Sequence, residues 1–392
     1  MQKKYLCNIF IFFFLINYQT VNASSDTLLI NQLIKSIAAD QVKKYDGDFY
    51  EGMFYNYREC GAWPKNRQAD RNIFFTAITC FTLKNMLPYL NYSNKVIIQS
   101  IIQNATKAYP YFLNTKPNGF YEFWPTDKTF MPHAVVMKYT KPLFGQGEDV
   151  DDCVMVLMTS NHPDSIHQNF KKRMIHAANL SVKKIDNTFD EYREFPAYST
   201  YLGTKMKTDF DFCVQCNVIY YCHQQKLPFV KQDTATINLL AAVLKNRDYI
   251  NHPTYVSPWY GNPAVLIYHV SRLMGAFKIP ELEVYKEQLI EDANYLLTQP
   301  SNIMDKIILS TSLLRLGSIP KKEISFKDIA AFEKTNEKDF YFFQARGAAF
   351  MSNFMKKIFS NQGAAFYFNF FCETYNKALL LEYLIERNKA RN

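Results

Sequence analysis

The chain has 392 residues, of which 16% are aromatic and only 12 are glycine. This scarcity of glycine argues against a β-sandwich or a Rossmann fold, whose turns and phosphate loops depend on that residue. The formal net charge is +9, but the basic residues are scattered along the chain, which indicates solvated helix faces and argues against a nucleic-acid partner.

Residues 1–23 have the pattern of a secretory signal peptide. Two lysines precede a short apolar run at 6–15, and Ala23 ends a small-residue cleavage site. This run is too short for a good membrane span, and no later run reaches the roughly 18 apolar residues of a transmembrane helix. We therefore expect cleavage near Ala23, a secreted or periplasmic protein without a transmembrane segment, and a single domain over 24–392.

The rest of the chain alternates amphipathic segments with almost wholly apolar ones, each at helical periodicity. The amphipathic segments cover 26–44, 92–114, 163–186, 230–248, 280–298 and 322–334. The apolar segments cover 72–81, 153–158, 212–222, 264–274, 302–316 and 364–384, and a further helix is predicted over 345–359. Helices that are apolar on all sides are buried. The repeat, with a period of about 50 to 80 residues, therefore predicts an all-α fold, an α/α toroid with about six inner and six outer helices.

Aromatic residues are concentrated in the loops that lead into the apolar helices. These candidates for substrate binding are Trp63, Trp124, Tyr198, Tyr201, Trp259 and Tyr260. Aromatic rings at such positions can line a central cavity, where they would stabilise a cationic ligand or stack on a sugar. Alternatively, they are loop anchors that pack on helix ends.

Three carboxylates, Asp149, Asp151 and Asp152, stand directly before the second apolar helix. They repel one another and burial disfavours ionisation, so one of them can stay protonated near neutral pH. A general acid that acts on an apolar substrate needs such a carboxyl. The alternative is helix capping, which is favoured by Asp70 and Asp209 at equivalent positions of the repeat.

The sequence Asp149-Val150-Asp151-Asp152 resembles the D-x-D-D motif of class II terpene cyclases of the squalene–hopene cyclase type. In that family the fold is an α/α toroid, and the middle aspartate protonates an alkene or epoxide to start cyclisation. The resemblance implies that Asp151 is the proton donor, that Asp149 and Asp152 flank it, and that a hydrophobic isoprenoid occupies the central cavity. Cys153 stands where the family usually has threonine.

Asp209 and Asp211 form a second acidic pair before the third apolar helix. Two carboxylates across a pocket can hydrolyse a glycosidic bond, so a hydrolase or lyase acting on a glycan, with Asp151 and one of this pair, is a second hypothesis. A non-catalytic binding toroid is a third. Helix capping is the favoured role of Asp211, and the oligomeric state stays open.

Asp211 and Cys213 also resemble the D-x-C of protein prenyltransferase β-subunits, another α/α-toroid family. There these two residues bind zinc together with a later histidine, whose match would be His269. A capping aspartate followed by a core cysteine is the favoured interpretation. We predict no metal site and no cofactor.

Overall fold

The computed structural model describes residues 26–61, 66–116, 119–126, 147–203, 206–299, 301–335, 340–360 and 367–391. The predicted signal peptide and Trp63 lie outside these ranges. Within them the protein is mostly helical, as predicted, with a small antiparallel sheet of four strands.

The helices are α1 (26–40), α2 (Phe74–Met86), α3 (Tyr92–Ala105), α4 (Val150–Thr159), α5 (Asp164–Ala177), α6 (Phe212–Gln224), α7 (Lys231–Lys245), α8 (Asp248–Asn251), α9 (Pro253–Val256), α10 (Pro263–Ala276), α11 (Pro280–Glu283), α12 (Lys286–Thr298), α13 (Ile303–Arg315), α14 (Ile329–Glu333), α15 (Asn353–Ser360) and α16 (Glu373–Arg391). The strands are β1 (Tyr57–Cys60), β2 (Arg67–Ala69), β3 (Phe343–Arg346) and β4 (Tyr367–Phe371). Among the described residues no helix is both long and apolar enough to cross a bilayer.

Six helices contact one another in a closed circuit. Helix α2 contacts α4, α4 contacts α6, α6 contacts α10, α10 contacts α13, α13 contacts α16, and α16 returns to α2. These are the helices predicted to be apolar, and every residue of α4 is buried. Of the amphipathic helices, α3 packs on α2, α7 on α6 and α12 on α13. The circuit therefore carries the core, because its members have no face that tolerates water.

Four helices of the circuit begin with the same kind of cap. The side chains of Asp149, Asp211, Asn262 and Asn302 each accept a hydrogen bond from the backbone N–H two residues further on, at 2.8–3.0 Å. Such a cap satisfies one of the free N–H groups at a helix start, which is costly to leave unpaired when the helix end is buried. The predicted capping role of Asp149 and Asp211 is thus present in the structure.

The four-stranded sheet, with strand order β2-β1-β4-β3, corrects the expectation of an all-α fold. Strand β4 lies inside the segment predicted as the last apolar helix, and β3 overlaps the helix predicted over 345–359. Strand β4 is rich in aromatic residues and β3 begins with Phe343, a composition that suits a half-buried sheet as well as a helix. Pairing with a distant strand selects the sheet over the helix: Tyr57 of β1 lies opposite Phe371 of β4, more than 300 residues away.

The sheet brings aromatic side chains onto the end of the circuit where α2 begins. The Phe343 ring stacks on Phe370 at 4.4 Å and lies 5.2 Å from Phe74 and 5.1 Å from Phe75, between ring centroids. It is 7% exposed. This ring joins the sheet to the helical circuit.

Replacing Phe343 with Ala should therefore lower the free energy of unfolding by about 3–5 kcal/mol, because the change leaves a cavity between the sheet and α2. Denaturant unfolding followed by circular dichroism measures the change. Phe354→Ala is the matched control, since Phe354 is 72% exposed and its loss should cost less than about 0.5 kcal/mol. Equal effects of the two variants would contradict this role of Phe343.

Candidate functional site

The predicted acids of α4 and α6 lie together at the starts of these two helices. The residues before the helices are tied by backbone hydrogen bonds, from Val150 N–H to Thr200 O at 2.9 Å and from Thr200 N–H to Asp209 O at 3.0 Å. Asp149 and Tyr201 form an isolated antiparallel bridge beside them. We call Asp149, Asp151, Asp152, Asp209 and Asp211 the acid cluster.

Asp151 points away from the backbone of its own helix. Its Oδ1 accepts a hydrogen bond from Asn217 Nδ2 at 2.7 Å, and its Oδ2 accepts one from the hydroxyl of Tyr260. The amide oxygen of Asn217 in turn accepts from the guanidinium of Arg272. Burial raises the pKa of Asp151, and the two donors and the Arg272 charge offset part of that rise.

Asp152 is 1% exposed, and neither of its carboxyl oxygens has a hydrogen-bond partner among the described residues. Burial, followed by the charges of Asp149 and Asp151, raises the pKa of Asp152 well above its usual value. An unpaired carboxylate in such a place is strongly disfavoured. Burial and the neighbouring charges therefore both favour the protonated form of the Asp152 carboxyl.

Asp149 and Asp211 both serve as helix caps, yet both titrate near neutral pH. Burial and the charge of Asp151 raise the pKa of Asp149 to about 8. Burial raises the pKa of Asp211 to about 7, despite the hydrogen bonds that it accepts from Ser257 Oγ at 2.7 Å and Trp259 N–H at 2.9 Å. Asp149 and Asp211 thus stay protonated up to pH values at which isolated aspartates are ionised.

Trp259 is hydrogen-bonded to both members of the second acidic pair, Asp209 and Asp211. Its backbone N–H donates to Asp211, and its indole Nε1 donates to Asp209 Oδ2 at 3.0 Å. These bonds hold the loop before α10 against the start of α6. Trp259 is therefore an anchor of this loop, which is one of the two roles considered for the aromatic residues.

The other aromatic candidates divide into two groups. Tyr260 contacts Asp151, and the Tyr201 ring packs edge-on against Trp259, with 6.1 Å between the ring centroids. Tyr198 instead donates to Asp233 at 3.1 Å, and Trp124 donates to Asp70 at 3.1 Å. The structure thus brings Tyr201, Trp259 and Tyr260 to the acid cluster but uses Tyr198 and Trp124 elsewhere as packing anchors.

Aromatic rings line the interior of the circuit next to Asp151. The Tyr260 ring lies 4.7 Å from His269 and 6.3 Å from Phe74, and His269 lies 5.5 Å from Phe342, between ring centroids. His269 Nδ1 is 2.8 Å from its own helix carbonyl, Val265 O. Burial lowers the pKa of His269 well below its usual value, so its ring is neutral. The Tyr260 side chain that binds Asp151 therefore packs among aromatic rings.

A small surface cleft of about 20 Å³, partly open to solvent, lies beside the cluster. Tyr201 forms part of its wall, together with apolar and basic side chains that include Leu202, Met206 and Lys183. Burial, followed by the charges of Asp149 and Asp209, raises the pKa of the Tyr201 hydroxyl well above its usual value. Tyr201 therefore stands between this cleft and the acids.

Two partners of Asp151 were missed by the sequence reasoning. Asn217 lies within the apolar run 212–222, and Arg272 lies within the apolar run 264–274. A polar or charged residue inside an otherwise apolar helix must be hydrogen-bonded, so each was a usable signal. That Arg272 binds Asn217 and Asn217 binds Asp151 could not be deduced without the contact between α6 and α10.

The residues compared with a prenyltransferase zinc site do not form a metal centre. Asp211 is held by its helix and by the Trp259 loop, and His269 faces Val265 O and aromatic rings. Within the described ranges, no group of three His, Cys, Asp or Glu side chains could hold a metal ion.

Comparison with known proteins identifies no relative: no family model, no curated protein and no solved structure matches the chain. The resemblance to class II terpene cyclases stays a prediction.

The acid cluster should make the protein less stable as the pH rises from about 6.5 to 8. In the unfolded chain these aspartates ionise near pH 4, so over this window the folded state binds more protons and the free energy of unfolding falls with pH. Buried His269, whose pKa is lowered, acts below this window. Urea unfolding at several pH values measures the slope.

Asp152→Asn should make that slope shallower, because it removes a carboxyl whose pKa is higher in the folded state than in the unfolded chain. Asp164→Asn, at an exposed position, is the control and should leave the slope unchanged. An identical slope in wild type and Asp152→Asn would show that Asp152 is ionised in the folded protein.

Proposed function

We propose that the protein is an α/α toroid, with the closed circuit of α2, α4, α6, α10, α13 and α16 as its inner helices. Three observations support this architecture: the circuit closes, its members are buried, and the amphipathic helices α3, α7 and α12 each pack on a member. The sheet closes the end of the toroid at which α2 begins. Export through the segment 1–23 belongs to the same proposal.

We further propose that the protein is a class II terpene cyclase-like enzyme that protonates a hydrophobic isoprenoid, with Asp151 as the general acid. The main support is the placement of Asp151, a buried carboxyl with a raised pKa that binds the hydroxyl of Tyr260, whose ring packs against Phe74 and His269. An acid in water would give its proton to solvent before it reached an alkene. Burial removes this competitor and keeps the proton available.

In the reaction the Asp151 carboxyl gives its proton to one carbon of an alkene, and the neighbouring carbon becomes a cation. The Asp151 carboxylate that remains is stabilised by the Tyr260 hydroxyl and the Asn217 amide, one on each oxygen. Because negative charge develops on Asp151 during this step, these donors bind the transition state more strongly than the ground state. Arg272 adds positive charge behind Asn217.

The cation formed on the substrate would lie among the aromatic rings of Tyr260, Phe74 and Phe343. The ring faces are negatively polarised, so they attract a cation by roughly 0.5–2 kcal/mol each when water is excluded. The raised pKa of Asp152 favours proton transfer from Asp151, because an ionised carboxylate at position 152 would oppose the loss of that proton. The surface cleft bordered by Tyr201 is the proposed entrance.

The hydrolase hypothesis receives less support from the same geometry. A glycosidase needs a second carboxylate that is free to act as base or nucleophile. Asp211 is occupied by its own helix N–H groups, Ser257 and Trp259, and one oxygen of buried Asp209 binds the Trp259 indole. We therefore prefer proton donation by Asp151 to a pair of cooperating carboxylates.

Asp151→Asn should reduce turnover by at least about a hundredfold, because an amide cannot donate the proton of the first step. The purified protein is incubated with a panel of linear polyprenes, squalene among them, in D₂O, and products are analysed by mass spectrometry. Proton-initiated cyclisation places one deuterium in each product. Asp164→Asn is the control. The proposal would be contradicted if the wild-type protein converted none of these polyprenes, or if Asp151→Asn kept full activity.

Tyr260→Phe should move the alkaline limb of the pH–rate profile to higher pH. The Tyr260 hydroxyl stabilises the ionised form of Asp151 and lowers its pKa, so its removal raises that pKa and keeps the acid protonated further into the alkaline range. The turnover number should fall as well, because the carboxylate loses a donor. A purely structural Tyr260 would lower the rate without moving the limb.

A further inference from the structure

In helix α15 a lysine faces the protein and apolar side chains face solvent, which is the reverse of an ordinary surface helix. Lys356 is 2% exposed and faces the protein, whereas Phe354 is 72% exposed. Met355 and Ile358 are exposed as well. The spacing of 354, 355 and 358 places these three apolar side chains on one face of the helix. We call them the outer face of α15.

Specific contacts fix this orientation. Lys356 Nζ donates to the backbone carbonyl of Asn187 at 2.9 Å and lies 4.5 Å from the ring centroid of Tyr255. The Tyr255 hydroxyl donates to Asn353 at the start of the helix. The ammonium also lies in the field of Asp209 and Asp211, whose charges oppose the fall in pKa that burial causes. The helix is therefore held by its lysine.

This orientation of α15 is energetically unfavourable if its outer face contacts only water. Burying an ammonium is unfavourable unless its new contacts compensate for the lost water, and apolar surface left in water loses the gain that its burial would give. Half a turn of rotation would bury the apolar side chains and expose the lysine. The observed orientation is favourable when an apolar medium covers the outer face.

We propose that α15 docks the protein onto the surface of an anionic lipid bilayer, with its outer face in the region between headgroups and acyl chains. Three side chains are too few for a stable protein interface, which buries about 800 Å² on each partner. They suit a helix that lies in a membrane interface. Exposed Lys357 beside them and the formal net charge of +9 favour an anionic surface.

The proposal is tested by sedimentation of the purified protein with vesicles of phosphatidylcholine alone or mixed with phosphatidylglycerol. Wild type should sediment with the mixed vesicles and less with phosphatidylcholine alone. The double variant Phe354→Ser, Ile358→Ser should partition at least about tenfold more weakly, since it loses two inserted apolar side chains. Lys357→Glu should weaken binding to the mixed vesicles only.

Val284→Ser, Ile319→Ser is the matched control, because these two side chains are 74% and 72% exposed but lie far along the chain from α15. It should bind vesicles like wild type, and circular dichroism should show that both double variants are folded. Equal binding by the α15 variant and the control would overturn the proposal. The proposal would also be overturned if the wild-type protein did not bind vesicles. This holds whether the wild type is a monomer or a dimer that the α15 variant no longer forms, as measured by sedimentation velocity.

Discussion

The structure depends on how buried helices begin. A helix that is apolar on all sides has its first N–H groups inside the protein, where water cannot satisfy them. Asp149, Asp211, Asn262 and Asn302 meet this need for α4, α6, α10 and α13. At α10 and α13 the cap is a neutral amide. At α4 and α6 it is a carboxyl, so the structural requirement itself puts acids into a medium of low dielectric constant and raises their pKa values.

Within one helical turn, three acids have three different positions. Asp149 is committed to the backbone of α4, and Asp152 is enclosed without a partner among the described residues. Only Asp151 reaches across to α6 and to the loop before α10, where Asn217 and Tyr260 meet it. This difference follows from helix geometry, because residues at adjacent positions project about 100° apart. The D-x-D-D spacing therefore separates the capping acid from the acid that faces the interior.

The sequence was sufficient for those parts of the fold that have a local pattern. The apolar helices and their acidic starts were predictable, because helix periodicity and capping are properties of a few consecutive residues. Strand β4 was not, since Tyr367–Phe371 becomes a strand only through its pairing with Tyr57–Cys60 at the other end of the chain. The roles of Tyr198 and Trp124 were not either: an aromatic loop residue looks the same whether it anchors a helix or faces a site.

Buried charges distinguish structural sites from candidate functional ones in this molecule. Arg58 with Asp70, Lys171 with Asp233 and Arg315 with Glu382 are direct ion pairs, and their contacts account for their burial. Asp152 and Lys356 are different, because one has no hydrogen-bond partner in the described part of the chain and the other donates to a backbone carbonyl. Burial of a charged or ionisable group without a direct ion pair is unfavourable for stability. These two groups therefore make the acid cluster and α15 candidates for a functional role.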